Sequence, residues 1–540
     1  MDCFAAAVDS AKVALEKGRI GTPVAVRIMV NTAEGGEDLD PLLGCGLEAS
    51  AVWLGDEPQR LVAIGGAENG QISVLAKFPK GQTALVCAGS RSRSGDCIDL
   101  TITGNRGVLS WQSGAELSGL EKRREPISAR ARRLLEQAKQ ACDSAKAATE
   151  LRQAVSPGSP RIRMQPPYGI LLVAGAHTHQ ENYAPLFAAD RRCRLVGVSD
   201  EADVPQRRRD LNAKLARDLD IPHLPSLVEA LARSDIHAVS VCAEPERRAR
   251  VAVRCAEAGK HLYLDKPVAA SAEEAEAVVT AARTAGVVSQ MFSTVRHPAG
   301  MRLRRALDRG TLGEPRAVHF HLTFAKGPAG TARLGQPRRE SPRPRQFEAV
   351  DSKRELFNVG VYPLVLLEWL IRRPVQRVWA VTGNYIFAEH QANDMEDFGM
   401  MLLELDSGLA ATVTAGRTGW RSHPMAGINR TTIVGSRDVI QVDLGHPRWD
   451  AWTDEAPWLP PRIHPQDPMG FWKSTMAEMD ALPKQSWITP LEEPDSDVAY
   501  FLDCIEQCRA SDVPAELAAS AVRVLMAAYR SAAVGGPATP

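Results

Sequence analysis

The sequence has few aromatic residues, no excess of charge of either sign and no long hydrophobic run. Aromatic residues make up 5% of the 540 residues, and 65 Lys and Arg balance 65 Asp and Glu. A chain without net charge has no general attraction to nucleic acid or to an anionic membrane, so we expect neither as a partner. The longest nearly unbroken apolar stretch, residues 362–371, is about half of a bilayer span. Because the start of the chain lacks a basic segment before an apolar run, we predict a cytoplasmic protein.

Cysteine is sparse as well, and its spacing excludes a dense disulfide framework. The ten cysteines are scattered and form no C-x-x-C pair, which favours a reducing compartment with cysteines buried as small apolar side chains. Cys504 and Cys508 lie four apart on a predicted helix, but we expect them to be buried and predict no metal site. With 44% apolar and 24% charged residues, the chain is typical of a globular protein with several cores.

One thirteen-residue segment occurs twice. Residues 14–26 return as residues 306–318 with seven identities, and both copies are typical of a helix end, a glycine-containing turn and a strand. Weaker matches follow in the same order, ending with Gly104-Asn-Arg against Gly435-Ser-Arg. We therefore predict that residues 1–120 and about 300–445 are two copies of one sheet-bearing domain. The intervening residues 121–167 are predicted to form an amphipathic helix and a Pro-rich linker.

From residue 168 onward, short apolar runs alternate with helical segments. The runs are rich in Val, Ile and Leu, and they lie at residues 170–174, 194–198, 238–242 and 261–264. This alternation predicts an α/β fold with a doubly wound, Rossmann-like parallel sheet that is covered by helices on both faces.

The first strand of this unit ends where a dinucleotide-binding protein has its G-x-G-x-x-G turn. Gly175 fills the first glycine place, but His177 and Gln180 stand at the second and third, with Thr178 between them. Asp200 ends the second strand, where a carboxylate binds the adenosine ribose hydroxyls and favours NAD over NADP. We predict NAD as the cofactor, with NADP as the alternative, and we predict that all five of these residues bind it. Two other interpretations stay open: Asp200 capping a turn, and the H-x-H that begins at His177 as a metal-binding motif of hydrolases.

The sharpest local signal is Asp265-Lys266-Pro267, directly after the apolar run at residues 261–264. Proline keeps the residue before it extended, so the lysine is expected to point into the crevice where ligands of open sheets bind. An ammonium group there can stabilise an alkoxide or assist a proton transfer.

This motif and the sheet before it resemble the Gfo/Idh/MocA oxidoreductase family, whose Glu-Lys-Pro motif carries an active-site lysine. The resemblance covers residues 168–540, whereas residues 1–120 resemble only a degenerate copy of the second, sheet-bearing domain of the family. It implies a Rossmann-like NAD(P)-binding domain at residues 168–295 and an α+β open-sheet domain for substrate and dimer contacts at residues 296–540. It also implies hydride transfer to or from a nicotinamide cofactor.

In that family a second motif, Asp-x-Gly-x-His, supplies the acid/base group. Here it reads Asn358-Val-Gly-Val-Tyr362, so the resemblance implies that Tyr362 handles the proton. Asn358 keeps hydrogen bonding but lacks the charge of the usual aspartate. We expect the Lys266 ammonium to favour the phenolate and so to lower the pKa of Tyr362. The alternative for Tyr362 is an aromatic side chain that packs on Trp369.

Four further residues are candidates through their place in the resembled domains. Asp265 and Arg248 fall at the cofactor end of the crevice, although Arg248 lies in a basic run that also fits the solvated first turn of a helix. Arg296 stands where the family often has an arginine near the substrate. His321, on the strand that opens the second domain, faces either the substrate or a partner subunit.

These signals predict an NAD(P)-dependent oxidoreductase that acts on a sugar, a polyol or a related hydroxy compound. The alternatives are a catalytically degenerate nucleotide- or sugar-binding protein of the same fold and an NAD-dependent glycosidase. The first copy lacks the lysine motif, and we expect it to pack on the sheet of the second copy as a partner subunit would, because an open sheet must bury its apolar face. A homo-oligomer is also compatible with the sequence.

Overall fold

Three six-stranded sheets form the framework of the protein. The computed structural model describes residues 8, 11–18, 20–33, 39–66, 70–92, 97–112, 129–145, 166–325, 327–336, 338–341, 353–419, 427–443, 464–470, 472–479 and 496–540. Most of the predicted linker, residues 146–165, lies outside these ranges.

The first sheet belongs to the N-terminal unit. Its strands are β1 (Pro23–Ala33), β2 (Arg60–Gly66), β3 (Gln71–Lys77), β4 (Thr83–Ser92), β5 (Cys97–Gly104) and β6 (Gly107–Gln112). They are ordered β2-β3-β4-β1-β5-β6, with β1 and β4 parallel and the other neighbours antiparallel. Helix α1 (Asp40–Leu54) packs on β1 and β4, and α2 (Ala129–Ala145) packs on α1 and β2. The buried Leu134, Leu135 and Ala138 of α2 complete the N-terminal core.

The second sheet is parallel throughout, as the sequence predicts. Its strands are β7 (Tyr168–Val173), β8 (Cys193–Ser199), β9 (His223–Leu224), β10 (Ala238–Val241), β11 (His261–Leu264) and β12 (Ser289–Met291), in the order β12-β11-β10-β7-β8-β9. The helices that connect them are α3 (Gln180–Ala189), α4 (Gln206–Asp218), α5 (Leu227–Leu231), α6 (Pro245–Glu257) and α7 (Ala272–Ala285). Every residue of β7, β10 and β11 is buried, which explains their unbroken apolar runs. The predicted α/β doubly wound unit is confirmed.

The third sheet has the same strand order as the first. Its strands are β13 (Pro315–Phe324), β14 (Val375–Gly383), β15 (Phe398–Leu405), β16 (Ala410–Arg417), β17 (Gly427–Gly435) and β18 (Val439–Asp443), in the order β14-β15-β16-β13-β17-β18. The remaining helices are α8 (Pro298–Asp308), α9 (Glu355–Ile371), α10 (Ala388–Ala392), α11 (Lys473–Glu478), α12 (Asp497–Glu506) and α13 (Ala515–Val534), with a 3-10 turn at Asp406–Gly408. Helix α9 packs on β13 and β16 as α1 packs on β1 and β4.

The repeated segment of the sequence lies at the same place in both sheets. Gly21 and Gly313 precede the first strand of each sheet with φ angles of 70° and 68°. A Cβ on Gly21 would lie 2.3 Å from the side chain of Asn105, and one on Gly313 would lie 2.3 Å from the side chain of Ser436. Both turns therefore need glycine for its left-handed backbone and for its lack of a side chain.

The helix-free faces of the first and third sheets pack on each other. Apolar residues of this contact are Val24, Ala25, Met29, Ile64, Leu75, Leu85 and Cys87 from the first sheet and Trp379, Val381, Met400, Leu402 and Ala410 from the third. Polar groups also meet across it. Gln71 Nε2 lies 3.3 Å from His319 Nε2, and a guanidinium nitrogen of Arg430 lies 3.5 Å from an Asp99 carboxylate oxygen.

Helix α13 is apolar because much of its surface is buried in the protein core. By length and composition alone, Ala515–Val534 could cross a bilayer. In the structure it packs against α7, α9 and β14, and its Val522, Leu525 and Tyr529 are buried. Its apolar composition thus matches a position between the second and third sheets.

Asp497 begins α12 and buries a carboxyl group against the second sheet. The Tyr263 hydroxyl donates to its Oδ2 at 2.9 Å, and the Gln290 side chain donates to its backbone carbonyl at 2.8 Å. Burial raises the pKa of Asp497 to about 7. The group therefore keeps its proton in the folded protein at pH values where it is ionised in the unfolded chain.

Replacing Asp497 with Asn should flatten the pH dependence of stability. Because the folded-state pKa is raised, the stability linked to this group is complete below the unfolded-state pKa of about 3.9 and is lost as the pH rises through the folded-state value. Between pH 5 and pH 8 we expect the free energy of unfolding of the wild type to fall by about 2 kcal/mol more than that of Asp497→Asn. Urea unfolding at both pH values measures this. Asp503→Asn, partly exposed on the same helix, is the control, and equal slopes for Asp497→Asn and the wild type would contradict the assignment.

Candidate active site

The loop after β7 forms one wall of the crevice at the carboxyl ends of the parallel strands. A Cβ on Gly175 would lie 2.6 Å from both the Asn212 Cα atom and the Leu211 carbonyl oxygen, so glycine lets α4 approach the loop. His177 has a φ of 56°, a left-handed conformation that glycine adopts without strain. The loop therefore keeps a glycine-like backbone shape although it carries a side chain there.

Thr178 and Gln180 hold this loop together from within. Thr178 Oγ1 donates to the Gly175 carbonyl at 2.6 Å. The Gln180 amide donates to the carbonyls of Val173 at 3.2 Å and Ser240 at 2.6 Å, and its oxygen accepts from the Ser240 hydroxyl. Gln180 is 0% exposed and joins β7 to β10. These hydrogen bonds give Gln180 an internal role, and its predicted contact with the cofactor stays a prediction.

Asp200 directly follows β8, and protein donors already fill the acceptor sites of its carboxylate. Oδ1 accepts from the Arg247 guanidinium and from the Glu201 backbone N–H. Oδ2 accepts from Arg247 at 3.1 Å and from the Asn212 side chain at 2.9 Å. A carboxylate has about four acceptor sites, and protein groups use all four. A ribose can bind Asp200 only in place of one of these donors.

Asp265 anchors the lysine motif in a buried cluster. The Tyr183 hydroxyl donates to its Oδ1 at 2.8 Å, His179 Nδ1 lies 2.8 Å from the same oxygen, and Arg248 donates to Oδ2 at 2.9 Å. Burial alone would raise the pKa of Asp265, but His179 and Arg248 outweigh it and hold the pKa well below its usual range. Arg248 also donates to the Pro267 carbonyl and is 3% exposed, so the solvated helix turn is the wrong interpretation for this residue.

Lys266, which follows β11 of the second sheet, contacts helix α9, which packs on the third sheet. Its Nζ donates to the Asn358 backbone carbonyl at 2.9 Å and to the Asn358 side-chain oxygen at 2.7 Å. The same atom lies 4.9 Å from the centre of the Tyr362 ring. Asn358 and Tyr362 are four residues apart on α9, which places them on one face of the helix. The structure thus brings together the three residues that the sequence singles out for catalysis.

The protonation of Tyr362 differs from the expectation. Burial, followed by the Asp265 carboxylate, raises the pKa of Tyr362 well above its usual value. The expected lowering by Lys266 is therefore wrong for this structure. The ammonium lies over the ring, and Phe292 packs edge-on against the same ring. At neutral pH the tyrosine is therefore a protonated phenol, and its raised pKa makes it a weaker acid than a free tyrosine.

Two family models match the parts of the chain that carry this cluster. Residues 171–293 match the oxidoreductase family with an NAD-binding Rossmann fold, and residues 301–441 match the GFO/IDH/MocA C-terminal domain. These two regions belong to the Gfo/Idh/MocA family. Asp265 and Lys266 lie in the first match, and Asn358 and Tyr362 lie in the second.

Curated members of the Gfo/Idh/MocA family match only part of the chain. Levoglucosan dehydrogenase of Pseudarthrobacter phenanthrenivorans is 27% identical, over 38% of this chain and 58% of that protein. Trans-1,2-dihydrobenzene-1,2-diol dehydrogenase of Sus scrofa is 25% identical, over 46% of this chain and 68% of that protein. A dTDP-3,4-didehydro-2,6-dideoxy-alpha-D-glucose 3-reductase of Actinomadura kijaniata is 26% identical, and the match covers 52% of its length. The chain thus spans little more than half of several curated relatives.

Solved structures of the family superpose over a longer region. GenD2 from gentamicin A biosynthesis, in complex with NAD, has a TM-score of 0.52 at 21% identity, covering 72% of this chain and 99% of that one. Scyllo-inositol dehydrogenase from Lactobacillus casei, with bound NAD(H) and scyllo-inositol, has a TM-score of 0.50 at 14% identity, covering 69% of this chain and 98% of that one. At these identities the likeness shows the Gfo/Idh/MocA fold alone.

Arg296, one of the two predicted substrate residues, contacts the C-terminal helices. Its guanidinium lies 4.1 Å from the centre of the Tyr500 ring and 3.2 Å from an Asp512 carboxylate oxygen. These contacts tie the segment before α8 to α12 and to the turn before α13. They give Arg296 a packing role, and its predicted role at the substrate stays a prediction.

His321, the other predicted substrate residue, faces the first sheet. Val318, Phe320 and Leu322 of β13 lie in the core beneath α9, so the alternation of a strand turns His321 to the opposite face. There it is 1% exposed, and burial together with Arg27 and Arg430 lowers its pKa well below the usual value. His321 therefore lies between the first and third sheets of this chain, and its predicted contact with the substrate stays a prediction.

Three residues near the lysine motif were not assigned to the site from the sequence. His179 and Tyr183 bind Asp265, and Trp472 packs against His179 with ring centres 5.9 Å apart. His179 belongs to the H-x-H that the sequence makes visible, but Trp472 lies almost three hundred residues away in a segment without a readable pattern. Contacts of this kind depend on how the domains fold together.

Removing Arg248 should destabilise the protein strongly. Arg248→Met takes away the guanidinium that balances Asp265 in the interior, and breaking a buried ion pair costs about 3–5 kcal/mol. Arg254→Met on the same helix is the control, because Arg254 is exposed and its pair with Glu201 should contribute at most about 1 kcal/mol. Urea unfolding at pH 7 measures both. Equal losses for the two variants would show that Arg248 does not support the lysine motif.

Proposed function

We propose that this Gfo/Idh/MocA protein is an NAD-dependent oxidoreductase that transfers hydride between the nicotinamide and a hydroxyl-bearing carbon of a sugar, polyol or related compound. The observation that carries the proposal is the position of Lys266 Nζ, at the end of a parallel strand and in contact with both Asn358 and the Tyr362 ring. A buried ammonium beside a phenol suits a reaction that develops negative charge on an oxygen.

The curated relatives support the substrate class. Two of them are named for reactions at hydroxyl or carbonyl groups of sugars, as levoglucosan dehydrogenase and a dTDP-hexose 3-reductase. A third is named for a cyclic diol. Their common chemistry is the interconversion of a ring CH–OH and a carbonyl group, and we extend that class to this chain.

In this proposal the nicotinamide end of a dinucleotide binds at the strand ends of the second sheet. The strand ends of β7, β10 and β11 meet there beside Lys266, as expected for ligands of open parallel sheets. His177 Nδ1 is buried without a hydrogen-bond partner among the described residues, so the loop after β7 has a polar atom for a ligand. When bound, the nicotinamide supplies hydride transfer. The loop at Gly175–Thr178 and the Asp200 carboxylate would hold the other end of the cofactor.

Tyr362 and Lys266 would have different roles at the reacting oxygen: Tyr362 donates a proton and Lys266 stabilises negative charge. Because its pKa is raised, Tyr362 is a neutral phenol that can donate a proton to a developing alkoxide. The Lys266 ammonium stabilises the negative charge on the same oxygen, and Asn358 fixes the position of the ammonium through two acceptors. This division favours carbonyl reduction as the direction in which the free enzyme is ready to act.

Replacing Lys266 with Met should remove most of the activity. Loss of a preorganised charge at a developing oxyanion lowers kcat by about 10²–10³. The measurement follows NADH consumption or formation with a panel of sugars, polyols and their keto forms. Lys214→Met, on the partly exposed surface of α4, is the control. Undiminished turnover by Lys266→Met would remove Lys266 from the mechanism.

We also propose that the N-terminal unit is an internal partner, a degenerate copy of the third-sheet domain that covers its face. The shared strand order and the equivalent glycine turns support this. The charges at one pair of equivalent positions also support it. Gly104 and Gly435 are equivalent in the repeat, so Asp99 and Arg430, each five residues earlier, are equivalent as well. These two residues meet across the interface with opposite charges. In a symmetric contact between identical sheets, a residue at this position would meet its own charge.

The full-length chain should therefore be a monomer. Its covered third sheet leaves no open face for the sheet-to-sheet contact, so light scattering after gel filtration should give a mass near 58.6 kDa. The measurement is best made at physiological salt, where long-range attraction between exposed charges is screened. A mass of twice this value, together with cross-links between copies of the third sheet, would contradict the internal partner.

A further inference from the structure

One carboxylate stands at the amino end of α3, where a pyrophosphate binds in dinucleotide-binding folds. Glu181 Oε1 accepts from the His177 backbone N–H at 2.8 Å. That N–H belongs to the turn that takes the place of the second fingerprint glycine, and the amino end of a helix favours negative charge. Glu181 thus uses a donor that a bound pyrophosphate would need.

The same carboxylate holds a distant segment of the chain. The Ser474 hydroxyl donates to Glu181 Oε1 at 2.6 Å, and the Ser474 backbone N–H donates to Glu181 Oε2 at 2.9 Å. Ser474 lies in α11, within residues 464–470 and 472–479, which we call the cover segment. Arg207 at the start of α4 donates to the Gln466 carbonyl at 3.0 Å. The cover segment therefore reaches the amino ends of both α3 and α4.

The other side of the cover segment is fixed in the core between the sheets. Met469 is 0% exposed and Trp472 is 8% exposed, and both belong to the cluster that the first and third sheets share. Trp472 also packs against His179, and Lys353 Nζ lies 4.6 Å from the centre of the Trp472 ring. The segment is thus a bridge between the sheet contact and the cofactor crevice.

Two groups would bind the adenosine half of a dinucleotide, the Asp200 carboxylate and the His177 backbone N–H, and both already have hydrogen-bond partners within the chain. Four protein donors saturate Asp200, and Glu181 occupies the His177 N–H. A pyrophosphate that approached this turn would also meet the negative charge of Glu181. Pyrophosphate and the Glu181 carboxylate are alternative ligands of one site, because each is an oxyanion that needs the same donor.

We propose that Glu181 is an internal competitor of the cofactor, which holds the cover segment on the crevice until the pyrophosphate displaces it. The inference rests on the proposed dinucleotide site and adds the residue that sets its affinity. Binding of the cofactor then breaks the contact between Glu181 and Ser474 and releases the cover segment from α3. The cost of breaking these contacts lowers the affinity of the closed protein for the cofactor.

Titration of the full-length protein with NADH, followed by fluorescence, tests the competitor. Glu181→Ala removes the competing carboxylate, and we expect it to bind NADH at least tenfold more tightly than the wild type. Ser474→Ala weakens only the link to the cover segment and should tighten binding by a smaller factor, about two- to fivefold, since one hydrogen bond contributes on the order of 1 kcal/mol. Glu273→Ala, which removes a first-turn carboxylate from α7 in the same domain, should bind as the wild type does.

Amide hydrogen exchange gives a second readout that does not depend on turnover. Exchange in residues 472–479 should accelerate when NADH is added to the wild type, and it should be fast in Glu181→Ala without NADH. Equal NADH affinity of Glu181→Ala and the wild type, or unchanged exchange in the cover segment, would overturn the role of Glu181 and leave the proposed oxidoreductase intact. If no variant binds NADH or NADPH, both the competitor and the proposed function fail.

Discussion

The crevice depends on a buried charge balance around Asp265. Asp265 and Lys266 are neighbours in sequence, but the chain separates their partners: Asp265 is held by His179, Tyr183 and Arg248, and Lys266 by Asn358. Without the Arg248 guanidinium, the carboxylate would lie in the interior with too little positive charge, which is costly. With it, the strand end is fixed and the ammonium is directed toward α9. The arrangement of Lys266, Asn358 and Tyr362 thus rests on an ion pair that has no part in the chemistry proposed above.

Much of the fold could be read from the sequence because its signals are local. The unbroken apolar strands and the helices between them predict the parallel sheet, and the repeat of residues 14–26 at residues 306–318 predicts two turns of the same shape. Periodicity and motif spacing carry information of this kind. The meeting of Lys266 with Asn358 and Tyr362 joins two domains, and it was expected only because the resemblance to the Gfo/Idh/MocA family implies it.

The contacts that could not be predicted join residues far apart in the chain. Gln180 has the place of a fingerprint residue, yet its amide is used between two strands. Asp200 has the place of a ribose ligand, yet Arg247 occupies it. The pKa of Tyr362 was expected to fall, but burial outweighs the nearby ammonium. In each case the residue type was informative and the deciding factor was a partner or a degree of burial that only the folded chain supplies.

The pair of Asp99 and Arg430 also limits how a chain of this design can change over time. Each residue is the counterpart of the other in the two repeats, and each meets the opposite charge across the interface. If the gene lost its first third, the exposed sheet could regain a cover only by pairing with a copy of itself, and two arginines would then approach each other. Under the internal-partner proposal, the two faces have diverged in charge, and a return to separate identical subunits would first require a substitution at one of these two positions.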